Sequence, residues 1–381
     1  MDLTTRLATA RTAVLVAEVP GWAATRCAVE REVRTRGWRL ADSPADADVL
    51  VVCGRPGPRL AAAVDHVWAQ LPGPRARTRM HGPDDVPAAL DAASADLADG
   101  PAQRRDAAGR PAEPDPGILA TDRPAPDGGT PRAEDDEAPG FDDPGPAPDK
   151  DQDQAEDEDE PDDDMDMGGM DMGGMDMDMP MPGGVPLAGG ADDDQLPDPD
   201  GLDLDVLHVP LGPVLPWWPA GLLLHMTLQG DLVVAARAEV LEPAGEPPAD
   251  VAVHGTPAGR WDAVAALLAL AGDADGAAAA ARLRDALLAG ADAAAEEARL
   301  GRRVRRSRLL RWSLRGVGEL DGADAADRLA HWAGGDEQLV PITLAEVAAL
   351  VTGVDLATAR LVIASIDLDT SDRTRVPVAA P

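Results

Sequence analysis

Tyrosine is absent from these 381 residues, phenylalanine occurs once, and aromatic side chains amount to 2% of the chain. No phenol is therefore available anywhere as a proton donor. Only two cysteines, Cys27 and Cys53, are present, which excludes a disulfide framework and points to a reducing compartment. The longest apolar runs, such as GLLLHM, fall far short of the roughly 20 residues that span a bilayer. The opening stretch MDLTTRLATARTAVLVAEVP lacks a signal-peptide core. These absences predict a soluble, cytoplasmic chain. Lysine occurs once, at Lys150, so arginine supplies the remaining basic residues.

What is abundant is negative charge, and it is concentrated. The formal net charge is −35, and residues 101–200 alone hold 31 acidic and 6 basic side chains. The flanking parts are nearly balanced. A field of that sign repels a phosphate backbone, so nucleic acid is not an expected partner.

Three segments follow from pattern: 1–99, 100–204 and 205–381. In the first, TAVLVA (12–17) and DVLVVCG (48–54) suit buried parallel strands, alternating with helices over 23–35, 58–71 and 86–97. A small parallel α/β domain is expected. The second is rich in Pro, Gly and Asp, lacks the apolar surface to offset its ordering entropy, and is expected to be a disordered acidic linker. The third is expected to be α+β. LLLHMTLQGDLVVAARAEVL (222–241) reads as a β-hairpin turning at Gln229-Gly230-Asp231. Helices are predicted over 260–272, 276–289, 291–313, 321–333 and 343–352, while 357–369 fits helix or strand.

The order of motifs in the first segment is specific. Cys27-Ala28-Val29-Glu30 is followed by Ser43-Pro44-Ala45-Asp46-Ala47-Asp48-Val49, a strand closing on Gly54, and Gln70-Leu71-Pro72-Gly73-Pro74. This series resembles the iron–sulfur subunit of NADH:quinone oxidoreductase (complex I), a relative of nickel–iron hydrogenase small subunits. In the third segment, LGPVLPWWPAGLLLHMTLQGDLVVAARAEV, RRVRRSRLLRWSLRGVG and LVIASIDLDTSDR resemble, in family order, stretches of the partner quinone-site subunit, related to hydrogenase large subunits. The last of these resembles a strand of that family. The chain thus resembles a degenerate fusion of the two.

The resemblance implies a four-iron cluster on four cysteines, because soft thiolates stabilise such a core. Here Cys27 matches the second residue of the family's tandem pair, Arg26 stands at the first, and no counterpart of the third or fourth ligand exists. Cys27 is the candidate relict ligand, and the cluster is expected to be lost. The resemblance also implies a histidine in the turn Gly212-Pro213-Val214-Leu215-Pro216-Trp217-Trp218-Pro219 and a tyrosine to protonate a quinone. Neither is present, and His208 and His225 match neither position. No catalytic residue is therefore assigned.

Two further stretches carry chemistry of their own. MDMGGMDMGGMDMDMPMP (165–182) holds eight of the eleven methionines. Thioethers at Met165, Met167, Met170, Met172, Met175 and Met177 have spacings that suit copper(I), whereas the interleaved carboxylates suit hard cations. A self-repelling tether is the plainer reading. The arginine-rich stretch 299–315 is a charged helix suited to an interface, with Arg302, Arg305 and Arg306, together with Trp217 and Trp218, as candidate contact residues.

The expected function is a non-catalytic structural or assembly subunit of a complex I-like or hydrogenase-like membrane assembly, cytoplasmic or peripheral on the inner membrane face through its partners. Its own two domains are expected to pack together, and no cofactor is expected. Copper binding by the methionine tract and a residual oxidoreductase with partner-supplied ligands are the alternatives.

Overall fold

The computed structural model describes residues 12–110, 206–245, 252–335 and 342–371. Two apolar runs start the architecture. AVLVAE forms β1 (Ala13–Glu18) and VLVVC forms β3 (Val49–Cys53), every residue of which is buried. Unbroken apolar runs suit strands covered on both faces, the situation in a parallel sheet flanked by helices. The sheet is fully parallel in the order β2-β1-β3-β4, with β2 (Arg39–Leu40) and β4 (Ala76–Met80) at its edges. Helices α1 (Ala23–Thr35), α2 (Pro58–Gln70) and α3 (Val86–Ala98) lie where the sequence predicts them. The edge strands were not predicted, since β2 has two residues and β4 reads ARTRM, with two arginines.

The ordered chain continues past the expected boundary at 99. Helix α4 (Gly100–Gly109) forms where composition implied linker. Asp99 caps it by accepting from the Ala102 N–H at 3.1 Å. Gln103 then exchanges two hydrogen bonds of 2.9 Å with the Arg75 backbone, and Asp106 accepts two of 3.0 Å from the Arg75 guanidinium. A cap and tertiary contacts outweigh poor local hydrophobicity. The rest of the expected linker, and with it every methionine between 165 and 181, lies outside the described residues.

The third segment opens with an antiparallel sheet, β5 (Val206–Leu211), β6 (Leu222–Gln229) and β7 (Leu232–Val240), in that order. The β6–β7 hairpin turns at Gly230, whose φ is +62°, as its sequence indicated. Helices α5 (Pro257–Leu270), α6 (Ala274–Leu288), α7 (Ala294–Arg306), α8 (Arg308–Leu314), α9 (Ala325–Trp332), α10 (Leu344–Val351) and α11 (Leu356–Ser365) follow. Nine of the 14 residues of α5 are buried, which makes it the central helix, with α6, α9 and α11 packed around it. The single helix expected over 291–313 is two helices. Ser307 is extended at ψ 109°, and its Oγ accepts from the Leu310 N–H at 3.3 Å to begin α8. The stretch 357–369 is helical to Ser365, so the strand implied by the resemblance of LVIASIDLDTSDR does not form. Asp355 starts this helix, accepting from the N–H groups of Ala357 and Thr358 at 2.9 and 3.0 Å.

The two ends of the chain share a core. Val214, Leu223 and Leu241 are buried in the apolar cluster built on β1 and β3. The loop after β3 also pairs with the chain after β7: Gly57 N–H donates to the Glu242 carbonyl at 3.0 Å, and Ala244 N–H to the Arg55 carbonyl at 2.8 Å. Only glycine fits that approach, because a Cβ at position 57 would lie 2.4 Å from the Glu242 oxygen. The described parts of both segments belong to one compact unit. Among the described residues, no helix is long and apolar enough to cross a membrane.

Candidate functional site

Strand β1 ends on Glu18, and α1 begins one turn later, placing Arg26 and Glu30 one helical turn apart on a single face. Across the junction, α5 presents Asp262 and α6 presents Arg284 and Asp285. These side chains close a ring of alternating charge. Arg26 donates to Glu30 at 2.7 Å and to Asp262 at 2.5 Å, and Arg284 donates to both of those carboxylates at 2.7 Å. Glu18 extends the ring on the Arg26 side at 2.5 Å. Asp285 extends it on the other, bonded to Arg284 at 2.9 and 3.0 Å and to Arg34. The Arg284 side chain is 0% exposed. Burial alone would raise the pKa of Asp262 and Glu30, but Arg26 and Arg284 outweigh it and hold both below the usual carboxylate range.

A cavity of about 110 Å³ opens beside the ring. Its polar side holds Glu18, Asp262, His254 and Asp367, and its apolar wall includes Trp217 and Ile363. His254 Nδ1 lies 3.6 Å from the Asp367 carboxylate and has no hydrogen-bond partner. Burial pushes the Asp367 carboxyl up to about 6, with His254 pulling the other way. Burial also pulls His254 down, but Asp367, Asp369, Glu18 and Asp262 outweigh it and leave the imidazole pKa raised. Glu18 is raised too, by burial. The backbone is strained at the same place. Three non-glycine described residues have positive φ, and two of them, Trp217 at 59° and Asp367 at 46°, line this cavity. Such conformations cost of order 1–3 kcal/mol and collect at functional sites.

Open parallel sheets offer their ligand crevice beyond the carboxyl ends of the strands, where the strand order reverses. Here that point lies between β1 and β3, and it is filled. Trp22 packs over Gly54, where a Cβ would sit 2.5 Å from the indole, and Trp22 as a whole is 4% exposed. Cys27 and Cys53 are both free thiols shut in the core, at 1% and 0% exposure. Burial pushes the Cys27 thiol up to about 12 and the Cys53 thiol well above its ordinary value. Two protonated, enclosed thiols, one of them adjacent to a guanidinium committed to three carboxylates, do not fit a four-thiolate cluster.

The other candidates singled out by sequence pattern are distributed as follows. Trp218 is buried and donates to the Leu222 carbonyl at 2.8 Å, and Trp217 is half-buried in the wall of the cavity. Arg302, Arg305 and Arg306 are exposed on α7 and take no part in the ring. His225 bonds Glu239 at 2.7 Å, and His208 approaches the Thr227 hydroxyl at 3.2 Å. Met165, Met167, Met170, Met172, Met175 and Met177 lie outside the described residues. Among those described, no group of three or more His, Cys, Asp or Glu side chains is arranged to hold a metal ion.

The ring itself was missed, although one signal pointed to it. Arg284 falls on the stripe Ala277, Ala280, Ala281 of α6, a charge on the core-facing side of a helix. Such a charge needs a buried partner, but nothing local names one. Comparison with protein-family models, with curated proteins and with solved structures finds no match to this chain, and the resemblance to the complex I subunits stands on the quoted motifs.

Proposed function

We propose that this chain is a non-catalytic structural or assembly subunit of a complex I-like membrane assembly. One observation carries the reading. Arg26, which stands where the resemblance puts the first cluster cysteine, donates to Glu18, Glu30 and Asp262 at once. An ion-pair ring then does mechanically what a redox centre would otherwise sit beside: it fastens the cluster-subunit-like segment to the quinone-subunit-like segment. The quoted motifs of both segments are present in the sequence, although 361–365 is helical where the resemblance implies a strand, while the thiolates, histidine and tyrosine that the chemistry requires are not. Within the ring Arg26 and Arg284 are each matched to carboxylates from both segments, and the Arg284 side chain is fully enclosed, which supports a holding role.

The test is affinity purification of the tagged chain from gently solubilised host membranes, with mass spectrometry of what accompanies it. Proton-pumping or quinone-site subunits in the eluate are the expected result. Recovery of the chain alone, from the soluble fraction, would overturn the proposal.

A further inference from the structure

Outside residues 298–315, 11 of the 19 described arginines have a carboxylate partner; Arg36, Arg39, Arg59 and Arg75 are examples beyond the ring. One stretch differs. Residues 298–315 hold eight arginines and no acidic side chain. Arg299 and Arg303 reach Glu296 and Asp273 outside it. Arg305 and Arg311 donate only to backbone carbonyls. Arg302, Arg306, Arg308 and Arg315 are exposed and form no ion pair with any described residue.

The same corner exposes apolar surface. Helix α8 turns Leu310 and Leu314 into the core, which by helical geometry points Arg308, Leu309 and Trp312 outward. Leu309 is 72% and Trp312 78% exposed, the highest values among the large apolar side chains described. A run of carboxylates, such as DQDQAEDEDEPDDD (151–164), would match the arginines but offers nothing to the indole or to Leu309. A bilayer of anionic lipid matches both: phosphates for the guanidiniums, and a headgroup boundary in which tryptophan is favoured. The chain's large negative charge does not oppose this at contact, because charges beyond about 8–10 Å are screened at physiological salt.

We propose that residues 302–315 form a membrane-docking surface that seats this chain directly on anionic lipid headgroups, with Trp312 and Leu309 entering the headgroup boundary. The surface is independent of the ring and of any partner subunit.

Co-sedimentation of the full chain with phosphatidylcholine vesicles, with and without about one-third phosphatidylglycerol, reads it directly. Binding is expected only to the anionic vesicles and should weaken as salt rises. Replacing Arg306 and Arg308 together by glutamate should weaken it at least about 25-fold, taking roughly five-fold for each basic residue at such a surface. Trp312→Ala should weaken it about ten-fold. All three side chains are exposed, and an unchanged circular-dichroism melt confirms that the variants fold. Equal binding to neutral vesicles, no binding to either at low salt, or binding indifferent to these variants would overturn the proposal. So would binding that appears only after deletion of residues 134–182, because the patch would then be held by the chain's own acidic segment.

Discussion

Arg284 is a charge without water. Its guanidinium is held by Glu30, Asp262 and Asp285, so removing it leaves three carboxylates with too little positive charge among them. Arg284→Ala should destabilise the chain by about 3–5 kcal/mol in urea unfolding. Arg284→Lys, which keeps the charge but not the planar fork, should recover only part of that. Asp367 makes the opposite contribution. Its pKa, raised from 3.8 to about 6, means that the folded chain keeps a proton the unfolded chain has released across that interval. Stability from this group is therefore complete below about pH 4 and is lost as pH rises through about 6. The raised Glu18 and His254 act in the same direction. Asp367→Asn, which tolerates the left-handed backbone, should gain about 2 kcal/mol at pH 7 and flatten the fall between pH 4.5 and 7. Parallel unfolding curves for the two proteins would refute this. The sequence marks Cys27 and Arg26 as a place where the chemistry implied by the resemblance is missing, but not the ring that stands there. Glu30 and Arg284 are 254 positions apart, and only the fold brings them together.

At the level of elements, local rules succeeded where one face decides the outcome. The apolar runs of β1 and β3, the stripes of α1 to α3 and the Gly230 turn are written in the periodicity of the residues themselves. They failed where a single side chain or a distant contact decides. The Ser307 hydroxyl splits one apolar-periodic stretch into α7 and α8, and Arg75 turns a polar stretch into α4. The strands β2 and β4 exist because β1 and β3 offer them a ladder. The packing of α7 against the end of α9 depends on a missing side chain. A Cβ on Gly301 would stand 2.1 Å from the Ala333 carbonyl oxygen. Gly301→Ala should push these helices apart and cost about 1–3 kcal/mol despite alanine's better helix propensity, measured as a lowered thermal midpoint. A raised midpoint would mean that the helices slide apart without cost.

For the whole molecule, the expectation of an α/β part and an α+β part matches the architecture, but how far the two depend on each other was not legible. The sheet of the first segment is completed by Val214, Leu223 and Leu241 from the other end of the chain. Hydrophobic periodicity marks these residues as buried without saying against what. Cutting the chain at an introduced protease site near residue 150 should therefore leave two fragments that co-elute in native buffer and part only in denaturant. Fragments that separate in native buffer would show that the shared core and the ring do not hold. The shared core also sets a schedule for synthesis. When Arg110 has left the ribosome, the sheet of the first segment is complete in sequence but still lacks its last three apolar contacts. Some 130 further residues separate it from Leu241, a wait on the order of 10 s at elongation rates of about 5–20 residues/s. During that interval the nascent chain presents an unfinished hydrophobic face, and the intervening stretch that emerges is the most strongly acidic and self-repelling part of the sequence. Timing of translation, and whatever chaperone meets that face, are therefore built into how this protein reaches its native state.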